Sequence, residues 1–320
     1  MSQHNHTITI DTGFHRPRFD ACYLLIDSGR AAFIDCGVNA SQPRLLAALA
    51  AAGLGVDAVD HLILSHIHLD HAGGAGALLT QLPNAMVHVH PRGVRHLIDP
   101  SVLLAGASAV YGAAAVRATY GVLLPIASDR IVAAGEGHRI AVGQRALQCL
   151  DAPGHARHHL VVHEPAAAAF FTGDAFGISY RELDTAAGPF IIPATTPVQF
   201  DPLAMQASIA RMLATQPQVM YLTHYGPVRA VARLAADLHA RIDRMVALAE
   251  AAAAVPDRHG ALCAALREYY VSAAQQHGVL LGAAAIAEVL RLDIELNAQG
   301  LGVWLDAQSR RGQLTAPAQK

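Results

Sequence analysis

The stretch LSHIHLDHAGG, Leu64 to Gly74, places His66, His68, Asp70 and His71 within six consecutive residues, directly after the apolar run His61 to Ser65. Crowding three imidazoles and a carboxylate at the end of a core strand is costly in desolvation unless something offsets it. A metal ion does so. Residues two apart in an extended segment point the same way, so His66 and His68 can grip one ion while the following turn aims Asp70 and His71 at another. Gly73 and Gly74 are expected to let the backbone turn tightly beneath them.

Around this motif the chain alternates short β-like runs with helices. Ala21 to Asp27 and Ala31 to Asp35 read as a hairpin joined at Ser28-Gly29-Arg30. A helix capped by Ser41, with Pro43 in its first turn, follows and ends near Gly53. The motif strand, a helix at Ala75 to Gln81 and a strand at Met86 to His90 come next. Residues 91–128 lose the β rhythm and read as a helical insertion. Strands return at Ala146 to Leu150, His159 to His163, Ala168 to Thr172 and Val219 to Thr223, the last after a helix from about Pro202 to Thr215. Beyond Pro227 apolar residues recur at helical spacing, and Ser309 to Lys320 reads as a frayed tail. This order predicts a layered α/β protein.

Composition narrows the chemistry. The 320 residues are 53% hydrophobic, enough to bury a large core, and the formal net charge is -2. No basic stripe is available to track a phosphate backbone, which argues against a nucleic-acid partner. The single lysine is the terminal Lys320, so lysine nucleophiles, Schiff bases and P-loops are excluded. Cys22, Cys36, Cys149 and Cys263 form no C-x-x-C pair and read as buried free thiols. The N-terminus lacks the charged start and apolar core of a signal peptide, which predicts a cytoplasmic protein. The uncharged run Val102 to Val116 is shorter than the roughly 20 apolar residues needed to span a bilayer, so no membrane association is expected.

H-x-H-x-D-H after a strand resembles the signature of the metallo-β-lactamase superfamily, and further matches follow in that family's order. Asp35 in FIDCG resembles the acidic residue that supports the metal site from behind the ligands. His155 in APGHARHH, Asp174 in FFTGDAF and His224 in YLTHYG resemble the later metal ligands. The resemblance covers about residues 20–230 and implies a four-layer αββα sandwich with the site at one edge of its two sheets. We therefore expect a domain at residues 1–230, including the insertion, and a helical C-terminal extension at 231–320. The resemblance further implies His66, His68 and His155 on one metal, Asp70, His71 and His224 on a second, and Asp174 on both. Imidazole with carboxylate and no thiolate suits zinc, and iron or manganese would also be accepted. In the family such a pair of divalent ions supplies a bridging hydroxide as nucleophile, and Asp70 is placed to take up or pass on its proton.

The expected activity is hydrolysis of a small ester, thioester or lactone. The alternatives are a non-heme iron oxidoreductase of the sulfur dioxygenase type, a phosphodiesterase, and a ligand-binding protein on the same fold. Three further residues are candidates for contact with substrate: His158 beside the His155 motif, and the phenols of Tyr180 and Tyr225. For each, packing is the competing reading. Position 177 is Gly where homoserine-lactone-opening members carry a tyrosine, which weakens the lactonase reading. The insertion and the segment Gly177 to Gln199, with Leu103, Leu104, Val110, Tyr111, Phe190, Ile191 and Ile192, are expected to wall the pocket. The C-terminal helices offer either a cover for the site or a homodimer surface.

Overall fold

The computed structural model describes residues 6–196 and 198–315, without the side chains of residues 110, 111 and 311–315. The chain divides into two compact units. The first comprises the residues up to Ala152 together with His158–Asp174 and Ala214–Val231; the second comprises Pro153–Arg157, Ala175–Leu213 and the residues from Ala232 onward.

The first unit carries two six-stranded sheets. One runs in the order β1 (His6–Asp11), β2 (Ala21–Asp27), β3 (Arg30–Ile34), β4 (Val59–Ile63), β5 (Met86–Val89) and β6 (Ile131–Ala133). The other comprises β7 (Arg139–Val142), β8 (Arg145–Asp151), β9 (Leu160–Glu164), β10 (Ala169–Gly173), β11 (Val219–Leu222) and β12 (Gly226–Val228), also neighbours in chain order. Most links in the second sheet are antiparallel. Its exception, β10 with β11, is parallel, as are β3 with β4 and β4 with β5 in the first sheet.

Alternation along β2 shows how the layers are held. Ala21, Tyr23 and Leu25 face a core shared with Ile140, Leu147, Leu160, Val162 and Phe171 of the second sheet. Cys22, Leu24 and Ile26 point the opposite way, into a cluster with Leu45 and Leu49 of the helix Gln42–Ala51 and Leu78 and Leu79 of the helix Ala75–Leu79. Every residue of β2 is consequently buried, which is why its sequence reads as a continuous apolar run from Ala21 to Ile26. The result is the mixed α/β sandwich that the element order predicts.

Several local expectations need correction. Ser41 lies in the αR region and makes no side-chain cap bond; its Oγ instead accepts the Val38 N–H at 3.2 Å. The last helix, Arg291–Thr315, runs through most of the segment read as a frayed tail, and Arg310 is its last residue with a described side chain. The insertion is helical at Val94–Ile98, Ser101–Tyr111 and Ala113–Tyr120. The sequence pattern does not predict β1, nor the short edge strands β6, β7 and β12, whose three or four residues carry too few alternations to stand out.

The second unit reaches beyond the expected extension at 231–320 because a buried polar ladder ties residues 178–196 to the last helix. Tyr180 donates its hydroxyl to Asp293 Oδ1 at 3.2 Å. One helical turn on, Asn297 accepts the Thr195 N–H at 2.9 Å and donates to the Pro193 carbonyl at 3.1 Å and to the Tyr270 hydroxyl at 2.8 Å. Phe190, Ile191 and Ile192 are fully buried inside this unit, as packing requires, and Arg241 lies over the Phe190 ring at 4.6 Å. No single described helix is long and apolar enough to cross a membrane.

A row of imidazoles crosses the first unit. His61 Nδ1 lies 3.0 Å from His88 Nε2, and His88 Nδ1 lies 3.2 Å from His138 Nε2. Burial, with His61 and His138 adding, pushes His88 down to about 3. The unfolded chain, with an ordinary value of about 6.5, takes up this proton more readily than the folded one. The His88 contribution is therefore fully present above about pH 6.5 and is lost as pH falls towards 3. A His88→Asn variant should lose less of its urea midpoint than the wild type between about pH 7 and about pH 5. Equal losses would contradict the assignment.

Candidate metal centre

The site residues of the first unit sit where strands end. Asp35 follows β3, Ser65 and His66 follow β4, Asp174 follows β10 and His224 follows β11. β3 and β4 are parallel, as are β10 and β11, so each pair delivers its carboxyl ends to the same side. Two backbone bonds join the sheets at that edge: Leu160 N–H to Ser65 O and Ala21 N–H to Thr223 O, both 2.8 Å.

Asp35 organises the edge. Its backbone is in the left-handed region at φ 55°, which Asp tolerates better than most residues. Its buried carboxylate accepts the Ser65 N–H at 2.7 Å, the Ser65 hydroxyl at 2.8 Å, the Thr223 hydroxyl at 3.1 Å and His71 Nδ1 at 2.9 Å. With Nδ1 donating to Asp35, a neutral His71 carries its lone pair on Nε2. That nitrogen is fully buried and makes no hydrogen bond among the described residues. It lies 3.4 Å from Asp174 Oδ1 and 3.8 Å from Asp70 Oδ2.

His224 repeats the arrangement. Its Nδ1 donates to Phe19 O at 2.9 Å, and its Nε2 faces Asp70 Oδ2 at 3.6 Å and Asp174 Oδ1 at 3.7 Å. The donor atoms of Asp70, His71 and His224 all lie within 4.8 Å of one another, as do those of His66, His71 and Asp174. His66 Nε2 and His68 Nδ1 approach to 2.7 Å. His155 belongs to the second unit, where its Nδ1 bonds Ala194 O at 3.0 Å and its carbonyl accepts the Thr196 hydroxyl at 2.9 Å. Three of the imidazoles thus have Nδ1 tied to an oxygen and present Nε2, the orientation of metal-bound histidine.

Electrostatics agree with a cation-binding role. Burial alone would force His71 and His224 neutral, yet Asp174 and Asp70 outweigh it: His224 is pushed up to about 10 and His71 is raised well above its ordinary range. Burial likewise opposes ionisation of Asp70, but His71 and His224 hold its carboxyl well below the usual value. Two carboxylates at this edge demand positive charge. Protons on the imidazoles supply it in the protein alone, and a divalent cation among the same atoms would displace those protons. Asp20, buried beside them and bonded to Thr12 at 3.0 Å, is pushed up to about 7 by burial against the pull of His224 and His71.

Sequence reasoning missed the supports. Ser65 and Thr223 each directly precede a candidate ligand histidine at a strand end, a repeated hydroxyl–His pair visible in the sequence. His159 is fully buried, stacks on His66 with centroids 4.7 Å apart, and accepts the Asp174 N–H at 3.2 Å. Gly173, at φ 48°, leaves room for this: a Cβ there would come within 2.7 Å of both His159 Nε2 and Ser65 Oγ. Gly73 and Gly74 have ordinary negative φ; a Cβ at Gly74 would meet the Val38 carbonyl at 2.9 Å, so close approach and not a tight turn calls for glycine there. His158 lies edge-on to His68 with centroids 5.3 Å apart. Tyr225 packs against the core between the sheets, and the Tyr180 hydroxyl is engaged by Asp293.

A family model described as the metallo-beta-lactamase superfamily matches residues 15–224. The chain belongs to that superfamily, and its site is that of a metal-dependent hydrolase. The metallo-beta-lactamase fold-containing protein ST1585 of Sulfurisphaera tokodaii is 25% identical over 222 residues, which cover 66% of this chain and 75% of that protein. A hydroxyacylglutathione hydrolase of Stenotrophomonas maltophilia is 33% identical over 152 residues, or 48% of this chain and 44% of the relative. The crystal structure of ST1585 from Sulfolobus tokodaii superposes with a TM-score of 0.65 at 24% identity, covering 92% of this chain and 97% of the other, a likeness of fold.

Asp35→Ala would leave His71 Nδ1, the Ser65 N–H and two hydroxyls without their acceptor. Metal affinity should fall about 10–100-fold, read by competition with a chromophoric chelator. Wild-type affinity in this variant would show that Asp35 does not orient the site.

Proposed function

We propose that the chain is a binuclear metallohydrolase acting on a small thioester or related carboxylic ester. The observation that carries this reading is the convergence of His71 Nε2, His224 Nε2, Asp70 Oδ2 and Asp174 Oδ1 in a buried pocket of nitrogen and oxygen donors. Asp70, His71 and His224 would hold one ion and His66 and His68 the other, with Asp174 serving both; the family pattern adds His155 to His66 and His68. Imidazole and carboxylate donors suit zinc. Divalent ions in such a site supply Lewis acidity, lowering the pKa of water and polarising a carbonyl.

The chain's own side chains set direction and protonation. Asp174 is 7% exposed and His71 is fully enclosed, whereas the Asp70 side chain is 27% exposed. Asp70 therefore marks the open side of the pocket, where substrate and water enter. With a cation bound, that charge would keep Asp70 ionised in place of the imidazole protons, and its carboxylate would be the acceptor for the proton that attacking water loses. The thioester preference draws on the hydroxyacylglutathione hydrolase relative and on a formal net charge of -2, which does not favour a polyanionic substrate.

Metal analysis joined to a panel of thioester, ester, lactone, lactam and phosphodiester substrates tests this. Close to two metals per chain and turnover of thioester or ester are expected, and Asp174→Ala should lower both metal content and turnover. Full activity in that variant, or a protein that stays metal-free under metal-replete conditions, would overturn the proposal. One iron per chain with oxygen uptake on a persulfide would replace it with the oxidoreductase reading.

A further inference from the structure

A second group of metal-ligating side chains lies within the second unit. His259 and Cys263 stand one turn apart on the helix Arg258–Gln276, and Glu295 projects from the helix Arg291–Thr315. His259 Nε2 is 3.0 Å from Glu295 Oε1 and 3.6 Å from Cys263 Sγ, and Cys263 Sγ is 3.5 Å from Glu295 Oε2. Gln299 Nε2 holds the carboxylate by donating to Oε1 at 2.7 Å. Cys22, Cys36 and Cys149 are fully buried; Cys263 is the partly exposed thiol.

Cys, His and Glu in contact invite comparison with a nucleophilic triad, but the connectivity is wrong for one. A relay needs the thiol on one ring nitrogen and the acid on the other. Here both meet the same atom, Nε2. Burial and the Glu295 carboxylate also push the Cys263 thiol up to about 11, opposite to what a nucleophilic cysteine needs. Ligand atoms of all three residues lie within 4.8 Å of one another, close enough to chelate one ion. With zinc–sulfur near 2.3 Å and zinc–nitrogen or zinc–oxygen near 2.0–2.1 Å, tetrahedral ligands stand about 3.5 Å apart for sulfur with nitrogen or oxygen, and about 3.3 Å for nitrogen with oxygen. The His259–Cys263 separation already meets this; Glu295 meets the sulfur through Oε2 and the imidazole through Oε1, so a small turn of its carboxylate, or use of both oxygens, completes the chelate.

We propose that His259, Cys263 and Glu295 form a separate binding site for a thiophilic divalent cation of the zinc or cadmium type, which cross-links the two helices. His259 and Glu295 side chains are 50% and 45% exposed, so water can complete the coordination and the ion can enter directly from solvent. On binding, the thiol proton is released to solvent and a metal–sulfur bond forms, with no change of oxidation state. This site is independent of the hydrolase reading.

The test is titration of the zinc-loaded protein with cadmium, following the cadmium–thiolate charge-transfer band, to which the nitrogen and oxygen ligands of the main centre do not contribute. The band should grow to one equivalent per chain and vanish in Cys263→Ser. Its midpoint should move at least about tenfold towards weaker binding in both His259→Ala and Glu295→Gln, with circular dichroism confirming that the variants fold. A band that is missing from the wild type, that persists in Cys263→Ser, or that keeps its midpoint in the other two variants would overturn the proposal.

Discussion

The carboxylate of Asp35 is the interaction on which the rest of the first unit's chemistry depends. It bonds Ser65 beyond β4, Thr223 beyond β11 and His71 in the short helix Leu69–Ala72, and so ties the ends of strands from both sheets to one candidate ligand. Its left-handed backbone turns the side chain into that position. A shorter or apolar residue at 35 would leave several buried donors unsatisfied at once, each at about 1–3 kcal/mol. The centre is therefore built into the way the sheets close.

Around that anchor, charge determines what the pocket can hold. Asp70 and Asp174 lie within 4 Å of the Nε2 atoms of His71 and His224, and burial penalises every unpaired charge among them. A cation answers the carboxylates without placing protons on the imidazoles. The fixed Nδ1 bonds of His71 and His224 keep the rings aimed, so the donors are arranged before a cation arrives. His159 and Gly173 perform the same service for Asp174, one through a backbone bond and the other by leaving space.

Much of this was legible in the sequence because ligand chemistry is dense and local. His66, His68, Asp70 and His71 announce themselves by type and spacing, and Asp35, Asp174 and His224 lie just beyond apolar strands. The supporting residues were not legible to the same degree. Ser65, Thr223 and His159 are common residue types whose roles depend on partners distant in sequence, such as the Thr223 bond to Asp35. The polar ladder from Tyr180 and Thr195 to Asp293 and Asn297 depends likewise on distant pairings, so the reach of the second unit past residues 231–320 could not be read from local pattern. Ser41 looked like a cap because serine before a helix usually is one, yet the Val38 N–H claims its oxygen.

The central claim is that this edge of the sandwich is a two-ion centre with Asp174 serving both ions. Anomalous diffraction from crystals of the zinc-loaded protein, recorded on either side of the zinc absorption edge, tests it most directly. The account predicts two anomalous peaks about 3.5–4 Å apart, one bonded to His66 and His68, the other to Asp70, His71 and His224, with the Asp174 carboxylate reaching both. A single peak, or none among these side chains at full zinc loading, would contradict it.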